Sequence, residues 1–138
     1  MWDRGYSFDF VSDRLLEQAI QVSARQLLSR GGMYRALVVA NCTLMPPETL
    51  ERILALARAG ATLVFVGDLP NDVPGLGDLV ERRRRHHAVL SALGPLNSIQ
   101  PGISEAKLGN GRILVGADVE AMLQSGRRVG ARLGRRLP

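Results

Sequence analysis

A chain of 138 residues, 46% hydrophobic and 22% charged, has the size and composition of one globular domain with one core. Its single cysteine, Cys42, excludes an internal disulfide framework and a multi-cysteine zinc site, and no stretch approaches the roughly twenty apolar residues of a membrane-spanning helix. The net charge of +5 is lopsided, because residues 1–80 carry nine acids and seven bases while residues 81–138 carry four acids and eleven bases.

Aromatic residues make up only 4% of the chain, so the core is built from Leu, Val, Ile and Ala. Seventeen of the eighteen bases are arginine, the side chain suited to bidentate contact with carboxylate or phosphate. So strong a bias also follows from genomic base composition alone. The first residues include Asp3, Arg4 and Asp9 and no long apolar run. No secretory leader is read there, and a cytoplasmic setting is expected.

Along the chain, Phe8, Phe10 and Val11 suit a short strand or an extended arm. Ser12-Asp13 offers an N-cap, and Leu15, Leu16, Ala19, Ile20 and Val22 follow at helical spacing, predicting a helix over 13–23. Gln26 to Leu28 reads as a short edge strand and Gly31-Gly32 as a turn. Arg35 to Ala40 is a nearly continuous apolar run, as in a strand covered on both faces of a parallel sheet.

Pro46-Pro47-Glu48-Thr49 opens the next helix, where proline costs no hydrogen bond and a carboxylate meets the positive end of the macrodipole. Leu50, Ile53, Leu54 and Ala57 form its apolar stripe, Arg52 falls on the opposite face, and Gly60 stops it. Ala61 to Val66 is a second buried strand. Strand, helix, glycine and strand make a βαβ unit with parallel strands.

A loop over Gly67–Gly77 leaves that strand and leads to a helix over 78–93. Ile103–Leu108 and Arg112–Val115, joined by Gly109-Asn110-Gly111, read as a hairpin. Asp118 caps a short helix over 119–124, and residues 126–138 read as a mobile Arg- and Gly-rich tail after a domain of residues 1–125. Leu37, Val38, Val39, Leu63, Val64, Phe65, Ile113 and Leu114 are the expected sheet core.

Tyr34 with the Arg35–Ala40 run, the Pro47–Gly60 helix and Ala61–Gly67 together resemble the glutamine-amidotransferase-like domain inside α-L-rhamnosidase-type glycoside hydrolases. The segment is also similar to the trimerisation domain of certain β-galactosidases. Asp9-Phe10-Val11-Ser12-Asp13 resembles the lead-in to that domain, and Gly109 to Gly116 its late strand. The resemblance covers about residues 6–124. It implies a three-layer flavodoxin-like α/β fold with a mainly parallel sheet. It also implies a non-catalytic accessory role in carbohydrate breakdown, by packing, assembly or cleft shaping, beside a barrel that carries the catalytic carboxylates. A neighbouring catalytic barrel or a homo-oligomer is then the expected partner. The other open reading is an interaction module whose basic half meets an acidic surface.

The chemistry-bearing residues argue against catalysis by the chain itself. Cys42 follows the first buried strand, where ligands gather in open α/β sheets. A strained nucleophile elbow needs small residues two positions either side, and here they are Ala40 and Leu44. Cys42 therefore reads as packing, with a Cys-dependent hydrolase as the lesser alternative. His86 and His87 are adjacent and point about 100° apart on a helix, which does not suit one metal or one triad. Arg82, Arg83, Arg84 and Arg85 spread round that helix without interleaved aromatics, so nucleic acid is not the expected partner. Asp68 and Asp72 sit among turn-forming residues and are read as loop formers rather than a glycosidase pair. No cofactor or metal is expected.

Overall fold

The computed structural model describes residues 9–18, 20–29 and 32–125. The two apolar runs become neighbouring parallel strands, β4 (Ala36–Ala40) and β5 (Thr62–Val66), in register from Ala36 opposite Thr62 to Ala40 opposite Val66. Helix α2 (Pro47–Ala59) joins them. Its stripe is buried as the spacing predicts: Leu50, Ile53, Leu54 and Ala57 are each no more than 1% exposed. Gly60 ends the helix at φ 127°, and its N–H reaches the carbonyl oxygens of Leu56 and Ala57.

β5 also pairs in parallel with β8 (Gly111–Gly116) on its other side. Flanked by two strands, β5 buries Leu63, Val64 and Phe65 completely, opposite the buried Ile113 and Leu114 of β8. Leu63, Phe65 and Ile113 join α2 in the larger apolar cluster. Val64, Leu114 and Ile103 face the other way and meet Met122 of the 119–125 helix. Each buried side chain of this size contributes about 1.5–3 kcal/mol.

The rest of the main sheet corrects the expected architecture. β7 (Ile103–Leu108) and β6 (Asn97–Gln100) complete the order β4-β5-β8-β7-β6, and both of their pairings are antiparallel. A second sheet of β1 (Gln21–Ser23), β2 (Gln26–Ser29) and β3 (Gly32–Tyr34) is wholly antiparallel. The fold is therefore not a mainly parallel, three-layer flavodoxin-like or class I glutamine-amidotransferase-like one. The reason is connection length. Parallel neighbours need a crossover, whereas β6, β7 and β8 are separated by two-residue turns at Pro101-Gly102 and Gly109-Asn110, which make only antiparallel neighbours.

The N-terminal region departs from expectation for a related reason. α1 spans only Asp13–Gln18, and the predicted end of its helix is instead β1. Ala24 and Arg25 turn the chain with φ of 51° and 64°, so both central residues of the hairpin are left-handed. Neither is the Gly or Asn that announces such a turn. β2 is the middle strand of its sheet rather than an edge. Gly32 lies in β3; Gly31 and the 126–138 tail lie outside the described residues.

Two contacts join these parts. The Arg52 guanidinium of α2 donates to the carbonyls of Leu16 at 2.8 Å and Ile20 at 2.6 Å, clasping α1 and the start of the small sheet. Arg52 is half-buried there rather than solvated on the outer face. The glycine turn between β7 and β8 lies against the end of α2, where Asn110 N–H reaches the Arg58 carbonyl at 3.1 Å. A Cβ at Gly111 would collide with the carbonyl oxygens of Ala57 and Ala61, so that position has room only for glycine.

Candidate functional site

The parallel strands β4, β5 and β8 end together, which places Asn41, Gly67 and Gly116 at one rim. Asn41 N–H donates to Val66 O at 2.9 Å, and Gly67 N–H to Gly116 O at 2.8 Å. The left-handed residue at this strand end is Asn41, at φ 50°, one position before Cys42. Cys42 is half-buried against the larger apolar cluster, and its thiol donates to Leu44 O at 3.1 Å. The chain then runs on to Pro47 before any helix begins. The sharp strand-to-helix elbow of a nucleophile is not built at Cys42.

Below this rim the 67–78 loop is tied to the 41–45 segment. Asn71 N–H donates to Thr43 O at 3.1 Å and Met45 N–H to Asp72 O at 3.0 Å. The loop leads into α3 (Leu79–Ser91), which carries the arginine run. Each arginine has an internal partner. Arg82 donates to Pro74 O at 2.7 Å, and Arg83 grips Asp72 with Nε and Nη2 at 2.9 and 3.0 Å. Arg84 pairs with Glu81 one turn back, and Arg85 reaches Glu51 and Glu48 on α2. Arg83, Arg84 and Arg85 thus each have a carboxylate partner within the domain, and Arg82 a carbonyl.

The two histidines separate as their adjacency requires. His87 is exposed, while His86 is 2% exposed and its Nε2 has no hydrogen-bond partner among the described residues. Burial holds the His86 imidazole below its ordinary pKa, opposed by the nearby Asp72 carboxylate. Both histidines line an open recess of about 320 Å³ with Asn71, Asp72, Arg83 and Leu90. No aromatic platform for a sugar ring stands in it. Among the described residues no group of three or more His, Cys, Asp or Glu side chains could hold a metal ion. No described helix is long and apolar enough to cross a membrane.

The carboxylates decide what chemistry is possible. A glycosidase acid must keep its proton near neutrality, which takes an apolar pocket or a neighbouring negative charge. Here the shifted carboxylates move the other way. Arg83 and then the Val73 N–H hold Asp72 low, Arg85 holds Glu51 low, and Arg84 holds Glu81 low. Asp68 is exposed in the bend after β5. Glu105 lies 3.9 Å from Arg112 across the hairpin, and Asp118 accepts the N–H groups of Glu120 and Ala121 as a helix cap.

Sequence reasoning missed three residues that organise this region. Arg52 looked solvated because its clasp depends on a second sheet that the helix reading concealed. The burial of His86 was legible in its spacing from Val89, Leu90 and Leu93, but the charged run around it masked that stripe. Tyr34 donates its hydroxyl to Asp9, which raises the Tyr34 pKa and joins two of the motifs in the resemblance. No periodicity pairs residues so far apart in sequence.

Comparison with known proteins gives two matches. A search of curated proteins finds none. The solved structure of a rhamnosidase from Novosphingobium sp. PP1Y shares the fold, with a TM-score of 0.70 and 24% identity over 87% of this chain. The match spans 11% of that much longer protein. Residues 2–129 match the family described as alpha-L-rhamnosidase, glycoside hydrolase family 106. With nearly its whole length covered by that match, the chain belongs to the alpha-L-rhamnosidase family of glycoside hydrolases.

Proposed function

We propose that this chain is a supporting domain of an α-L-rhamnosidase-type glycoside hydrolase, serving carbohydrate breakdown by packing, assembly or cleft shaping rather than by cleaving the glycosidic bond. The observation that carries the reading is the state of the carboxylates: Asp72, Glu51 and Glu81 are all pulled below their ordinary range by arginine. A carboxylate held that way is ionised at neutral pH, so none of these three suits the general-acid half of the carboxylate pair that glycoside cleavage requires. The 11% span of the matched rhamnosidase supports the same reading, since it leaves most of that protein for the chemistry. The partner that fits is the catalytic part of such an enzyme or a second copy of the domain.

The test is an assay of the purified chain on an aryl α-L-rhamnoside, beside Asp68→Asn and Asp72→Asn variants. The expected result is no turnover above the buffer blank for any of the three. Turnover that disappears in either variant would overturn the proposal.

A further inference from the structure

α3 is an unusual docking helix. Its inward stripe reads Leu79, Arg82, His86, Val89 and Leu90, with Leu93 just beyond its end, so the middle of the stripe is polar. His86 is its one fully buried residue. The imidazole lies where α3 meets the Asp72 loop, with Nε2 sealed from water and without a partner among the described residues. Around it α3 is held by contacts at or near the surface: Arg83 to Asp72, Arg82 to Pro74 O, and Arg85 to the two glutamates of α2. Such contacts add little stability individually, so the docking rests on the buried His86 together with Val89, Leu90 and Leu93, which pack on the core cluster.

We propose that His86 is an acid-sensitive latch: its neutral imidazole seals α3 and the 67–78 loop against the domain, and its charged form releases them. An imidazole only 2% exposed solvates a charge poorly, and its Nε2 has no hydrogen-bond acceptor among the described residues, so the closed state resists charging. The charged and titratable groups on the surrounding elements are Glu81, Arg82, Arg83, Arg84, Arg85 and His87 on α3, Asp68, Asp72 and Asp78 on the loop, and Glu48, Glu51, Arg52 and Arg58 on α2. Of these, Asp72 favours the charged imidazole and His87 opposes it. Asp72 accepts from two Arg83 nitrogens and the Val73 N–H and makes no hydrogen bond to His86 in the closed state. Glu48 and Glu51 are likewise occupied by Arg85. The 41–46 segment carries no charge at all.

The sign follows from linkage. The open state takes up a proton near the ordinary histidine value of about 6.5, and the closed state only at lower pH. The latch is therefore fully closed above about pH 6.5 and weakens as pH falls below it. The experiment is amide hydrogen exchange of the full chain at about pH 7.5 and about pH 5, read as protection factors so that the intrinsic pH dependence cancels. The expected result is a several-fold loss of protection in α3 with α2 unchanged, absent in His86→Leu and retained in His87→Asn. Equal protection of α3 at both values, or the same loss in His86→Leu, would overturn the proposal. An NMR titration of the wild-type imidazoles gives a second reading independent of any variant's folding. A His86 midpoint below that of an unburied histidine supports the latch, and one at or above it contradicts the latch.

Discussion

α2 and α3 are both thirteen residues long and lie against each other, yet the domain holds them by different physics. α2 buries Pro47, Thr49, Leu50, Ile53, Leu54, Leu56 and Ala57, and α3 buries only His86. The first is bound by a full apolar stripe, and the second by a buried imidazole and the apolar end at Val89, Leu90 and Leu93 within a frame of arginine contacts. The difference teaches what an arginine-rich helix can mean. In the run 82–85, three of the four arginines pair with acids of the same chain, Asp72, Glu81, Glu48 and Glu51.

The contrast can be broken by substitution, and the largest effects belong on the α2 side. Leu54→Ala removes a completely buried side chain and is expected to cost about 2–5 kcal/mol of unfolding free energy in denaturant titration. A value under about 1 kcal/mol would mean that α2 is not the core helix described. Gly111→Ala is expected to destabilise comparably, because the new methyl meets two backbone carbonyls that cannot swing aside as a side chain can. Arg52→Ala leaves two α1-side carbonyls without their donor, at an expected cost of about 1–3 kcal/mol. Its effect concentrates in α1 and the small sheet, which faster proteolysis of the N-terminal region would report.

On the α3 side the expected effects are smaller and depend on solution conditions. Arg85→Ala is predicted to shift the unfolding midpoint only slightly, and high salt to abolish the difference from the parent chain. Acid acts on the carboxylates in its own window. Glu51, Asp72 and Glu81 have lowered folded values, so their contribution is fully present above the ordinary carboxylate range of about 4 and is lost as pH falls through the folded values. Arg85→Ala is predicted to flatten the acid limb of the stability curve, which chemical denaturation at stepped pH checks.

The regions differ in how far their sequence betrayed them. The βαβ unit was legible because burial on both sides writes itself into Leu63-Val64-Phe65, and one-sided burial into the spacing of Leu50, Ile53, Leu54 and Ala57. The hairpin of β7 and β8 was legible from Gly109-Asn110-Gly111. What failed was assembly. Nothing local to Ile113 states that β8 lies beside β5 rather than β6, and the sheet changes from parallel to antiparallel at that placement. β4 was read as fully covered, but as an edge strand it leaves Leu37, Val38 and Val39 half-buried. The turn at Ala24-Arg25 lacked the residues that mark one, so β1 passed for helix. At the candidate site, Cys42 packs against the larger apolar cluster, whereas the pairing of Arg83 and Arg85 depends on acids brought close only by the fold.

The central claim is that the arginine-paired carboxylates Glu51, Asp72 and Glu81 are not poised to donate a proton, and the direct measurement is a site-resolved NMR titration of these side chains. The account predicts that Glu51, Asp72 and Glu81 titrate below the ordinary carboxylate range. Any one of the three still protonated near neutral pH would contradict it and would mark that residue as a general acid.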